Sequence, residues 1–193
     1  MTFKAFGINF KISYIFSFCI VIFIAADKTG NILPILFSTL IHETGHLIAM
    51  KIFKAYPSEI SLNLGTIRIL NNAIVTNNEN LLILLFGPLA NLAFFLIFIN
   101  IESFKLFAII NLALFIFNLL PIEGLDGGSI LKLALRFRFS EQKVDRILFI
   151  ITLLFAAALI FVFVFLLFGG RLNFSIPILF LYLTLPLIIK KIS

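Results

Sequence analysis

Apolar residues run along this chain in long blocks separated by short polar stretches. The blocks fall at about 12–26, 32–53, 81–100, 103–120, 147–168 and 174–189. Each is long enough to cross a hydrocarbon core of about 30 Å as a helix, allowing for tilt. In lipid the backbone must satisfy its own hydrogen bonds, so helices are the predicted elements. Two stretches break the pattern. Tyr56 to Asn80 holds Pro57, Gly65 and several asparagines. Within it Ile60-Ser61-Leu62-Asn63-Leu64 and Thr66-Ile67-Arg68-Ile69 nearly alternate apolar and polar, which predicts a β-hairpin at about 58–70, near the membrane surface. Pro121 to Glu141 holds Gly124, Gly127, Gly128 and several charges, and predicts a loop followed by a short, moderately amphipathic helix. Thr2 to Phe10 adds a further candidate strand. The predicted fold class is an all-α polytopic membrane protein of about six transmembrane helices, with a small membrane-surface β-hairpin or sheet.

Composition strengthens this picture. The chain has 193 residues, 62% of them hydrophobic and 12% charged, with a mean hydropathy of +1.18. Soluble domains average about 45–50% apolar and about 25% charged residues, so a water-soluble globule has too little polar surface here. Residues 1–193 read as a single domain with no room for an appended soluble regulatory domain. The first apolar block lacks a small-residue cleavage site and is followed by more blocks, so it reads as a span and not a removed signal. Cys19 sits in an apolar run and has no second cysteine to pair with.

A net charge of +6 could point to nucleic acid, but the positions of the charges exclude it. They flank apolar segments, where they orient helices and meet lipid headgroups. With six spans and a cytoplasmic N-terminus, the cytoplasmic side receives Lys4, Lys11, Lys51, Lys54, Arg68, Lys132, Arg136, Arg138, Lys143, Arg146, Lys190 and Lys191. The other side receives only Lys28, Lys105 and Arg171. This asymmetry predicts a multi-pass protein of the cell membrane with both termini cytoplasmic.

The chain's two histidines fall in His42-Glu43-Thr44-Gly45-His46, inside the second apolar block. Positions i and i+4 share a helix face, so both imidazoles can reach one metal ion. Glu43 adjoins the first of them and can point at a metal-bound water. This is the H-E-x-x-H pattern of zinc hydrolases, and shuffling this composition yields it only roughly 3 times in 10,000. Zinc activates water at such a site, and the carboxylate takes the proton and passes it to the leaving amine. Glu43 is also the only acid well inside any of the six blocks. A charge at mid-bilayer costs about 2.5 kcal/mol or more, which marks it as functional. Two histidines and a water leave zinc one protein ligand short. Asp126, just past the fourth block, is the leading candidate and Glu123 a rival on the same terms. Pro121 should end the preceding helix, and the glycines allow tight turns.

These residues resemble the site-2 protease family of intramembrane metalloproteases, most closely its bacterial sporulation-protease branch. The matching pieces are His42-Glu43-Thr44-Gly45-His46, Gly87-Pro88-Leu89-Ala90-Asn91, and Asn118-Leu119-Leu120-Pro121 leading to Leu125-Asp126-Gly127-Gly128. Their order and separation also match, so the resemblance spans about residues 1–190. It implies that His42, His46 and Asp126 hold one zinc ion and that Glu43 is the catalytic acid/base. It further implies that Asn118 and Asn91 contact the substrate or the developing oxyanion; read from the residues alone, each asparagine equally suits hydrogen bonds between helices. Gly87-Pro88 reads as a local break for helix packing. Glu123-Gly124 and Ser129 depart from the branch's usual residues at this loop. No inserted peptide-binding module is evident.

The expected activity is hydrolysis of peptide bonds within or beside transmembrane segments of membrane-protein substrates. A helical substrate must unwind first, and the hairpin at about 58–70 could hold it extended by strand addition. The expected partners are that substrate and the lipid bilayer, with a membrane-protein inhibitor or homo-oligomer left open. Two other classes compete: a metal transporter, and a regulatory pseudoprotease. A transporter would place polar sites along a path through several helices, whereas these cluster. A pseudoprotease would have lost Glu43 or a ligand.

Overall fold

A computed structural model describes residues 1–168 apart from Phe6, Thr29, Leu64, Gly65 and Asn72, so the block expected at 174–189 lies outside the described residues. The other five apolar blocks are helical. They form α1 (Tyr14–Ala26), α2 (Ile32–Ile52), α3 (Asn77–Phe98), α4 (Lys105–Asn118) and a later helix, α6 (Glu141–Phe168). Helix starts depart from the hydropathy blocks where capping chemistry intervenes. The block at 81–100 becomes a helix beginning at Asn77, because Thr76 and Glu79 form a capping box. Thr76 Oγ1 accepts from the Glu79 N–H at 3.3 Å, and the Glu79 carboxylate accepts from the Thr76 N–H at 2.7 Å. These bonds satisfy donors that the first turn leaves open. Thr76→Ala should therefore lower stability by about 1 kcal/mol, read from denaturant unfolding in detergent micelles.

Among the described residues two helices, α2 and α3, are long and apolar enough to cross a membrane. With 13 and 14 residues, α1 and α4 are shorter, about 20 Å each at a rise of about 1.5 Å per residue.

The chain divides into two compact units, Met1–Phe117 and the part from Asn118 onwards. In the first, β1 (Thr2–Ala5), β2 (Ile8–Ile12), β3 (Pro57–Asn63) and β4 (Thr66–Asn71) form one sheet in the order β1-β2-β3-β4. The expected hairpin is its β3–β4 half. The expected N-terminal strand proves to be a hairpin of its own, turning where Gly7 adopts a φ of +80° that favours glycine. Phe3 stacks on its cross-strand partner Phe10, with ring centroids 5.1 Å apart. The two hairpins join through a parallel pair, β2 with β3, running from Asn9↔Glu59 to Ile12↔Leu62. Parallel strands need a long crossover; α1 and α2 supply it here. The sheet thus anchors both the entry to α1 and the exit from α2.

Helices α2 and α3 pack closely because Gly45 stands where they meet. A Cβ there would lie 2.4 Å from the Phe86 carbonyl oxygen, so only glycine permits this approach. Below the crossing Ala49, Met50, Ala55 and Ile83 make an apolar cluster. The polar residues Ser38, His42, His46, Asn91 and Asn111 are buried, while Leu33, Phe37, Leu40, Ile48 and Ile52 of α2 are exposed. Apolar outside and polar inside is the arrangement expected of a helix bundle solvated by lipid.

In the second unit the chain turns after α4, passes Gly124 at a φ of +98°, and enters α5 (Asp126–Arg136). This is the expected loop and short helix. Gly128 lets the loop lie against the first turn of α5, since a Cβ there would sit 2.0 Å from the Ile122 carbonyl oxygen. Thr152 of α6 accepts the backbone N–H of Glu123 at 3.0 Å. Lys132 pairs with Asp145 at 2.6 Å and Arg136 with Glu141, joining α5 to α6.

Candidate metal centre

Both histidines of the H-E-x-x-H pattern project from one face of α2 and are buried. Their ring nitrogens are assigned by their partners. His46 Nδ1 lies 2.8 Å from the backbone carbonyl of Ile83. A carbonyl only accepts, so Nδ1 carries the proton and donates. His42 Nδ1 donates to Asn91 Oδ1 at 2.7 Å. Each ring's remaining lone pair is then on Nε2. The two Nε2 atoms converge to 3.2 Å, and the rings stand nearly perpendicular, at 85°. Two lone pairs at that separation repel unless a cation lies between them. For zinc–nitrogen bonds of about 2.0–2.1 Å, the edge of a tetrahedron is about 3.3 Å. The pair therefore fits a tetrahedral zinc, with its Nδ1–H groups held in the manner that orients metal-binding imidazoles.

Helix α3 is shaped to receive the His46 ring. A Cβ at Gly87 would sit 2.3 Å from His46 Nε2. Glycine at this position leaves the space through which the ring reaches the Ile83 carbonyl, one turn earlier on α3. Pro88 follows inside the helix and contributes no N–H. The expected break at Gly87-Pro88 does not occur, since α3 runs continuously from Asn77 to Phe98; what Gly87 provides is room for the His46 ring.

The structure brings Asn91 to His42 and accounts for its whole amide. Besides accepting from His42, it donates from Nδ2 to the Ser38 carbonyl at 3.0 Å and to Asn111 Oδ1 at 2.8 Å. Asn111 and Ser38 are absent from the sequence-derived site. The signal was present: Asn111 is an amide in the middle of α4, flanked by apolar residues, and Ser38 lies one turn before His42 on α2. Glu43 is partly buried next to His42. In the second unit, Asn118 closes α4 and Asp126 opens α5, both partly buried. Glu123 lies in the loop before it, its backbone tied to Thr152.

With this geometry in place, comparison with known proteins adds two findings. Residues 99–159 match the model of peptidase family M50. The match covers less than half of the chain; it includes Asn118 and Asp126 and excludes the histidine motif, so the two signals come from different residues. No curated protein matches the chain. Among solved structures, the site-2 protease from Methanocaldococcus jannaschii matches with a TM-score of 0.68 at 20% identity, covering 95% of this chain and 91% of that chain. At that identity the likeness is one of fold. Together these findings bear out the resemblance to the site-2 protease family and support a metallopeptidase.

Proposed function

We propose that this chain is a zinc-dependent intramembrane endopeptidase that cuts membrane-protein substrates within or next to their transmembrane segments. The observation that carries this reading is the convergence of His42 and His46 through Nε2, with both Nδ1 atoms tied to acceptors. His42 and His46 would hold the ion together with Asp126. Each of the three offers one donor atom of a kind that zinc takes. Asp126 is favoured over Glu123 because it opens α5 immediately before two glycines, and because the family resemblance implies a ligand at this position. The ion would polarise the scissile carbonyl and acidify water. Glu43 would accept the proton of the attacking water and return it to the leaving nitrogen. Asn91 orients His42. Asn118 is the remaining candidate for contact with the substrate or the oxyanion.

The chain would cross the cell membrane about six times with both termini cytoplasmic, and the strong asymmetry of its lysines and arginines supports that orientation. Edge strand β4 would add the unwound substrate as a further strand.

The test is cleavage of a co-expressed panel of single-span membrane proteins by wild type and by Glu43→Gln. Wild type should cut at least one member. The variant should keep its zinc and lose roughly 10²–10⁴-fold in rate. Equal cleavage by both would remove Glu43 from the chemistry. Zinc binding without cleavage by wild type of any member would favour a non-hydrolytic zinc protein.

A further inference from the structure

A buried hydrogen-bond chain runs from His42 to helices α3 and α4 and ends on acceptors that cannot reverse. Asn111 is wholly buried. Its Nδ2 donates to the Phe107 carbonyl at 2.9 Å and to Ser38 Oγ at 2.9 Å. Ser38 Oγ in turn donates its proton to the Pro34 carbonyl at 2.8 Å, so it can only accept from Asn111. The amide of Asn111 therefore has one orientation, with Nδ2 toward Phe107 and Ser38 and Oδ1 toward Asn91. That Oδ1 accepts one proton of Asn91 Nδ2, and the Ser38 carbonyl accepts the other. The Asn91 amide is then fixed as well, with Oδ1 facing His42. An inverted Asn91 would turn Nδ2 toward His42, force the proton onto Nε2, and block the nitrogen that a metal needs.

We propose that Asn111, braced by Ser38, is a positioning residue: acting through Asn91, it holds His42 in the Nδ1–H tautomer that leaves Nε2 for the metal. This rests on the reading of His42 as a zinc ligand. His46 needs no such relay, because a backbone carbonyl fixes its tautomer directly. The same polar contacts also tie α2, α3 and α4 together, so the test must separate position from packing. Two substitutions at Asn111 do so. Asn111→Leu removes the acceptor facing Asn91. Asn111→Asp keeps an acceptor there but buries a carboxylate, which should harm stability more. A packing role ranks the variants by stability, with Asp the worse. The positioning role predicts the reverse order at His42.

The chain has only two histidines, so ¹⁵N-histidine labelling of the full-length, metal-free protein in bilayers gives two ring systems, each reporting its tautomer. In wild type both rings should carry a proton on Nδ1. In Asn111→Leu the His42 ring should lose that single state, while His46 keeps it. In Asn111→Asp both should match wild type. After zinc loading, transfer to a chelator should be about 10-fold faster for the Leu variant and near wild type for the Asp variant. A His42 ring that stays wholly Nδ1–H in a folded Asn111→Leu protein would overturn the proposal. If Asn111→Leu fails to fold, with both rings scrambled, Asn111→Asp decides. Wild-type His42 signals then support the relay, and a changed His42 beside an unchanged His46 overturns it. Failure of the zinc reading is separable, since it would appear as wild-type protein that takes up no zinc whatever its tautomers.

Discussion

Gly87→Ala should abolish zinc retention while leaving most of the fold intact. The added methyl would meet His46 Nε2 at 2.3 Å and Cε1 at 2.5 Å. Both atoms are at the far end of a side chain, so the ring can swing aside instead of moving a helix. The stability cost should be about 1 kcal/mol, at the low end for overpacking. The ring that swings is the one placed to bind metal, however. Zinc affinity, measured against a competing chelator, should fall by at least about 100-fold, beyond what loss of a supporting contact usually produces. Cleavage should fall with it. Retention of full zinc affinity would mean that His46 does not need the space Gly87 leaves.

Gly128→Ala should do the opposite, costing the fold first and the metal second. Its added Cβ would sit 2.0 Å from the Ile122 carbonyl oxygen and 2.6 Å from its carbon. Gly127→Ala meets the Leu119 oxygen at 2.2 Å and the Leu120 oxygen at 2.5 Å. These obstacles are backbone, in the turn that leads into α5, and no rotamer relieves them. We expect a loss of about 3 kcal/mol or more for Gly128→Ala, the upper part of the range for overpacking. Denaturant unfolding in micelles measures it. Because Asp126 immediately precedes these glycines, zinc content should fall as well. A Gly128→Ala protein as stable as wild type would mean that the turn relaxes freely.

These two glycines also show what can be read from residues alone. The glycines after Pro121 announced tight turns, of which Gly124 makes one while Gly127 and Gly128 fall in the first turn of α5, and His42-Glu43-Thr44-Gly45-His46 announced a metal-binding helix face. Both are local patterns. Gly87, by contrast, matters through a histidine on another helix, and nothing in its own neighbourhood says so. The same holds for the sheet. Alternation exposed the β3–β4 hairpin, but the parallel pairing of β2 with β3 joins segments separated by two helices. Local pattern carries no record of such pairing. Asn91 followed a similar course. Its presence near the site was legible through the resemblance, whereas its partners were not. They depend on how closely α2 approaches α3, which Gly45 sets. Hydropathy located five helices and missed the polar first turns of α3 and α6, because capping and ion pairs hold those turns, not apolar burial.

On the proposed reading, one zinc ion is held by two imidazoles from α2 and the carboxylate of Asp126. X-ray absorption at the zinc edge, on protein purified without chelator, reads this coordination. The expected result is about one zinc per chain, with two imidazole nitrogens and oxygen donors at about 2.0–2.1 Å, and markedly less zinc in Asp126→Ala. A wild-type spectrum without imidazole, or an Asp126→Ala protein with the same zinc content and coordination as wild type, would contradict it.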